Sequence, residues 1–185
     1  DSADVIFSMK YDPGKKVLYT LGFEKKSDDY WTVIKKRTGN LFKNETTIYS
    51  EKGDSINSSL ALDETSHALY FSLGSNTIYA YQDDAIKRLE KSPQLIRKIV
   101  VTNSKLFSLN SDSSITVWDV GKADVIFHFF LFEDLSWILL TDTGNFFTQG
   151  KGDDYLNIFE GNKTDSSLQE KYRLKFNLFN REKDF

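Results

Sequence analysis

Short runs of alternating apolar and polar residues recur along the whole chain, separated by turns rich in Gly, Asp, Asn and Ser. That period of two is what a half-buried β-strand requires. The first group comprises Val5–Met9, Lys16–Leu21, Trp31–Lys35 and Thr46–Tyr49. Asp12-Pro-Gly14 reads as its first turn, because Pro fixes φ at the second position and Gly admits a positive φ after it, and the charged stretch Glu24–Asp29 reads as an exposed loop. The second group is Ile56–Leu60, Leu69–Leu73, Thr77–Tyr81 and Ile86–Leu89, with Asp63-Glu-Thr-Ser-His67 in the place of Asp12-Pro-Gly14 and a tight turn at Gly74-Ser-Asn76. The third is Ile96–Val101, Leu106–Leu109, Ile115–Trp118 and Val125–Phe132, whose last member is apolar on both faces and so predicts a strand covered on both sides. The fourth opens with Trp137–Leu140, turns at Asp142-Thr-Gly144, and continues with Phe146–Thr148 and Tyr155–Phe159. Beyond it Ser166–Gln169 fits a capping box, while Leu174, Phe176 and Leu178 alternate; the reading is a short helix followed by a strand at Leu174–Phe179.

These groups define units at about residues 4–52, 55–91, 95–132 and 135–180. Laid over one another, they share a third strand that ends in a bulky apolar residue followed by a polar one: Ile34-Lys35, Tyr81-Gln82, Trp118-Asp119 and Phe159-Glu160. The stretch Ser111–Asp119, a small-residue turn leading into a strand that ends Trp-Asp, resembles the third strand of a blade in WD-repeat β-propellers, and the spacing of roughly 40 residues is similar to the repeat length of that family. The segment Trp137–Phe147 followed by Gly152–Leu156 also resembles the closing region of bacterial propellers that precede other modules. The other units keep the apolar pattern without the Trp-Asp pair, and none has the family's Gly-His pair, so its histidine network is not carried over to His67 or His128. The expectation is an all-β, β-propeller-like chain of four units of four antiparallel strands, with a two-sheet β-sandwich as the alternative. Stacked sheets would place Trp118, Tyr81 and Phe159 in the gaps between blades. Four units either close on themselves or form part of a larger ring, which a second copy could complete.

Composition sharpens this picture in a few places. An aromatic content of 15%, with fifteen Phe and nine Tyr among 185 residues, suits strands more than helices. A net charge of −3 with scattered basic residues gives no cationic field for nucleic acid. The absence of cysteine excludes disulfides, thiolate metal sites and a cysteine nucleophile. No apolar run is long enough for a transmembrane helix. Lys outnumbering Arg, with frequent Asn and Phe, leans toward a bacterial lineage, and from there toward a periplasmic or envelope setting over the cytoplasm.

Candidate chemistry is sparse. The paired acids Asp28-Asp29, Asp83-Asp84 and Asp153-Asp154 fall in turns, which in a propeller gather on the rims, yet their spacing matches no calcium loop. No Gly-x-Ser-x-Gly or phosphate-cradling glycine loop occurs, so no catalytic, cofactor-binding or metal-ligating residue is assigned. The expected function is a non-catalytic scaffold that recruits other proteins through rim loops, with Asp83, Asp84, Asp112, Asp153 and Asp154 as candidate contact residues and envelope assembly as a sharper version. The competing class is a propeller that binds or cleaves glycans, for which Tyr30, Trp31, Asp153, Asp154 and Tyr155 would have to surround one pocket.

Overall fold

The computed structural model describes residues 5–53, 57–92, 94–156, 159–160 and 163–164. Among them the chain forms sixteen strands and two 3-10 turns. The first sheet is a meander of β1 (Val5–Asp12), β2 (Val17–Lys26), β3 (Asp29–Thr38) and β4 (Asn44–Lys52). A second meander comprises β5 (Ser58–Asp63), β6 (Ala68–Leu73), β7 (Thr77–Gln82) and β8 (Ala85–Lys91). The third sheet begins as the meander β9 (Ile96–Thr102), β10 (Lys105–Asn110), β11 (Ile115–Asp119) and β12 (Asp124–Leu131). It then continues into β13 (Trp137–Thr141) and β14 (Phe146–Gln149), making six strands; a separate pair joins β15 (Phe159–Glu160) to β16 (Lys163–Thr164). All these pairings are antiparallel, as hairpin connections require.

Alternation along the strands builds two dry interfaces between three sheets. Val17, Tyr19, Leu21 and Ile34 of the first sheet meet Leu60, Leu69, Phe71, Leu73 and Tyr81 of the second. On its other face the second sheet presents Ala61, Ala68, Tyr70, Ile78 and Leu89 to Ile96, Ile99, Leu106 and Trp118 of the third. The first strands β1, β5 and β9 lie side by side, with Ser8–Lys10, Ser59–Leu62 and Lys98–Val101 lining a common groove of about 410 Å³. Three sheets packed in series with their first strands together make an open, propeller-like stack and replace the two-sheet alternative. Trp118 (fully buried) and Tyr81 sit in the two interfaces as expected; the side chain of Phe159 lies outside what is described.

Several local expectations are corrected. The Glu24–Asp29 loop is instead strand on both sides of a tight turn, with Lys26 paired to Asp29 and Ser27 at φ 57°. In the turn after β1 the positive φ falls on Lys16, not on Gly14. Gly14 is there for room, since a Cβ on it would stand 2.3 Å from His67 Cε1. Residues 137–149 do not open a separate sheet: Leu131↔Trp137 and Phe127↔Thr141 pair β13 onto β12, so the exposed hydrogen-bonding edge of β12 is where the next strand adds. β12, expected to be covered on both sides, has half-buried apolar residues, and among the described residues it is flanked by β11 and β13. The expected strand Tyr155–Phe159 begins as a 3-10 turn, Gly152–Tyr155. The proposed helix and strand at 166–179 lie outside the described residues.

The interface between the second and third sheets has a polar hub. Asn110, fully buried, accepts hydrogen bonds from Ser92 and Ser108 hydroxyls (both 3.2 Å) and donates to Ser114 Oγ (2.9 Å) and Thr116 Oγ1 (2.8 Å). Ser108 accepts the Trp118 indole N–H (3.2 Å), and Thr116 joins His128 Nδ1 (2.9 Å). Each of these buried polar groups thereby keeps a partner, without which it would cost about 1–3 kcal/mol.

Candidate interaction site in the seam between the first two sheets

A meander sends alternate turns to opposite ends of its sheet, so the rim loops fall into two sets. At one end the turns after β1, β5 and β7 converge: Asp12 reaches His67, Lys15 approaches Asp83, and Gln82 donates to the Ser66 carbonyl. At the other end Ser92 N–H meets the Asn76 carbonyl, Ile96 N–H that of Ser75, and Ser111 N–H that of Leu95. Asp83 and Asp84 stand at the first end. Asp112, in the turn after β10, and Asp153 and Asp154, after β14, stand at the second. The five acids therefore do not form one surface.

The first end holds a cleft of about 210 Å³ in the seam between the first and second sheets, lined by Lys15, Tyr19, Lys36, His67, Tyr81, Gln82, Asp83 and Asp84. Behind its His67 wall lies Asp12, fully buried at the end of β1. Asp12 Oδ1 accepts from the Lys15 N–H (3.1 Å), and the two carboxylate oxygens lie 2.9 and 3.1 Å from His67 Nδ1. A residue in the first turn of one sheet thus holds a residue in the equivalent turn of the next, with the imidazole laid over Gly14.

Its far wall is the two-residue hairpin turn Asp83-Asp84, both residues at positive φ (50° and 59°) where Asn and Gly are favoured. Side-chain bonds offset that strain: Asp84 Oδ1 accepts Lys36 Nζ at 2.8 Å and the Tyr81 hydroxyl at 2.5 Å. The Lys36 ammonium holds the Asp84 carboxyl below its ordinary range, with Tyr81 adding to it. Lys36 itself is pushed up by its bond to Asp84. Burial pushes the Tyr81 phenol up, and the Asp84 bond adds to this. Tyr19, raised by burial, meets Tyr81 edge-on at 6.2 Å, and Lys36 lies 5.8 Å over the Tyr81 ring. Asp83 projects outward, 84% exposed, with Lys15 at 3.9 Å, a pair of little energetic weight. The cleft therefore offers cationic donors, carboxylate acceptors and an aromatic wall side by side. That set suits recognition of a polar partner surface.

The acids at the other end serve their own turns. Asp112 Oδ1 accepts from the Ser114 N–H (3.0 Å) and hydroxyl (2.6 Å), and Asp153 Oδ1 from Thr148 (2.7 Å). Tyr155 stacks on Phe132 at 4.0 Å with its hydroxyl 3.3 Å from Asp134. Tyr30 and Trp31 lie on β3 of the first sheet, and neither they nor Asp153, Asp154 or Tyr155 line the seam cleft, the groove along the first strands, or the cleft on the third sheet bounded by Phe107, Val117 and Phe127. Among the described residues no group of three or more His, Asp or Glu is placed to hold a metal ion, and no helix is long and apolar enough to cross a membrane.

Sequence reasoning found Asp83 and Asp84 but missed Lys15, Lys36, Tyr19 and His67. The signal for His67 was present: its turn occupies the place of Asp12-Pro-Gly14 in the neighbouring unit, and equivalent turns of adjacent sheets end up side by side.

No protein-family profile matches the chain, and no curated protein matches it. Among solved structures it is similar to a crystal structure of HIRA spanning 644–1017 of that protein, with 11% identity and a TM-score of 0.45, over 80% of this chain and 52% of that one. A second is the WD40 β-propeller domain of Doa1, with 12% identity and a TM-score of 0.38, over 73% of this chain and 61% of that one. The match spans between half and two thirds of the length of each.

Proposed function

We propose that the chain is a non-catalytic protein-interaction scaffold that engages partner proteins at the rim where the Asp83-Asp84 turn meets the first sheet. The observation that carries this reading is the seam cleft, where two rigid sheets hold a mixed set of charges and a Tyr pair around an outward-pointing Asp83. Rigid apolar interfaces beneath variable turns suit recognition, because rim residues change without disturbing the packing. Asp112, Asp153 and Asp154 form part of a separate rim and take no share in this contact. An envelope setting has only the composition behind it. The glycan reading has no supporting observation, since its five residues share none of the clefts among the described residues.

The test is capture of partners by the tagged chain and by two variants, Asp83→Arg in the cleft and Asp154→Arg on the opposite rim, followed by binding of the recovered protein in purified form. Loss of binding with Asp83→Arg alone supports the reading. Binding untouched by Asp83→Arg, or lost only with Asp154→Arg, refutes it.

A further inference from the structure

The seam cleft has unused bonding capacity at its back. Tyr19, only 2% exposed, is packed between the first two sheets and lines the cleft. Its hydroxyl feels the charges of Lys36, Asp12 and Asp84, so the polar end of the ring points toward the cleft and away from the apolar interface. Among the described residues no hydrogen bond reaches that hydroxyl, yet Arg37 Nε is the one fully buried side-chain polar atom left without a partner; the Tyr19 oxygen therefore opens into the cleft. A tyrosine buried this deeply ordinarily bonds its hydroxyl to the protein. This one is aimed at a group that comes from outside.

The charges around it select that group. Lys36 and Asp84 are closed on each other at 2.8 Å, and the Tyr81 hydroxyl is bonded to the same carboxylate oxygen. Asp12 is closed by His67 and by the Lys15 N–H. Asp83 is left open at the mouth, 84% exposed, with Lys15 no nearer than 3.9 Å. Three carboxylates, those of Asp12, Asp83 and Asp84, stand here against the two ammonium groups of Lys15 and Lys36. An anion entering the cleft would have to pass Asp83 and compete with Asp84 for Lys36. A cation meets Asp83 at the mouth and the Tyr19 oxygen at the back, both as acceptors. The cleft, at about 210 Å³, is smaller than the roughly 300 Å³ at which pockets for drug-sized ligands begin, and it suits a single long side chain. A guanidinium fits better than an ammonium, because its planar fork takes both oxygens of a carboxylate and still leaves N–H donors for a second acceptor.

We propose that the seam cleft receives an arginine side chain of the partner protein, its guanidinium on Asp83 and a further N–H on the Tyr19 hydroxyl. The inference rests on the reading of this cleft as a partner contact and names the group that enters it.

Titration of the 185-residue chain with the capped peptide Gly-Gly-Arg-Gly-Gly tests this, followed by the His67 imidazole proton resonance, which is the one missing from the His67→Ala spectrum. The expected result is a saturable shift with a Kd of about 1 mM, weakened about tenfold or more when the arginine is replaced by glutamate or by its uncharged isostere citrulline. Asp83→Asn, which tolerates φ 50°, is expected to weaken binding about tenfold. Tyr19→Phe is expected to weaken it about threefold or more at an unchanged urea midpoint, since the hydroxyl it removes has no partner among the described residues. No shift with the arginine peptide up to about 10 mM overturns the proposal, as does equal binding of the lysine, citrulline or glutamate peptide. Binding untouched by Asp83→Asn and Tyr19→Phe overturns it as well. Partners captured through Asp83 while the arginine peptide leaves His67 unmoved would remove the arginine pocket and leave the scaffold reading standing; the absence of any Asp83-dependent partner removes the scaffold reading whatever the peptide does.

Discussion

Removing the imidazole of His67 tests the seam most directly. Asp12 is fully buried, and its side chain is held by His67 Nδ1 and the Lys15 N–H. Truncating the partner of a fully buried charge costs about 3–5 kcal/mol, because the charge is left without compensation. His67 is partly exposed, its side chain 35% accessible, so its loss lets water reach the carboxylate and recover part of that cost. The expected destabilisation for His67→Ala is about 2 kcal/mol, read as a lower urea midpoint at unchanged slope. Gly14 supplies an internal check. A methyl group at Gly14 meets the imidazole at 2.3 Å and expels it from Asp12, so Gly14→Ala has about the same effect as His67→Ala. The double variant then loses no more than either single one, a strong departure from additivity. Additive losses, or a His67→Ala effect below about 0.5 kcal/mol, would refute the view that the ring is held over Gly14 by a buried carboxylate.

Two further outcomes follow from the hub between the second and third sheets. Asn110→Ala leaves Ser92, Ser108, Ser114 and Thr116 short of a partner and is expected to cost about 3 kcal/mol in the same urea assay, while Asp112→Asn in the neighbouring turn, which keeps an acceptor oxygen for Ser114, costs far less. Burial pushes His128 below its ordinary value of 6.5, so the unfolded chain binds the extra proton first; stability is full above 6.5 and falls as pH drops through 6.5 toward the lowered value. The imidazole proton resonance of His128, distinguished from that of His67 by the His67→Ala spectrum, is expected to titrate below 6.5, and His128→Gln is expected to flatten the acid side of the stability profile.

Strand existence was legible from the alternation because each strand has one face against a neighbouring sheet, so side chains such as Tyr19, Leu21, Leu69 and Phe71 mark it without reference to distant residues. Strand pairing was less so. Trp137–Thr141 carries the same pattern whether it begins a new sheet or extends an old one, since the choice is made by the free edge of β12 and not by the side chains. The seam cleft was legible by half. Asp83 and Asp84 stand out as an acidic turn, but Lys36 reads as an ordinary polar residue on β3, and only the packing of the first sheet on the second brings it to Asp84. Asn110 was missed although Ser108, Ser114 and Thr116 lie within six residues of it, because its burial and its bond to Ser92 in the link between sheets depend on how the sheets pack.

Each of the three large sheets is made from one unbroken stretch of sequence, and among the described residues each core cluster joins a sheet to the one before or after it in the stack. The strand pairings within each sheet therefore close inside one stretch of sequence, which favours assembly of each meander as a local unit. Cooperativity must then pass through the two apolar interfaces, as in a chain of nearest-neighbour couplings. The second sheet, held on both faces, is where amide protons should exchange most slowly.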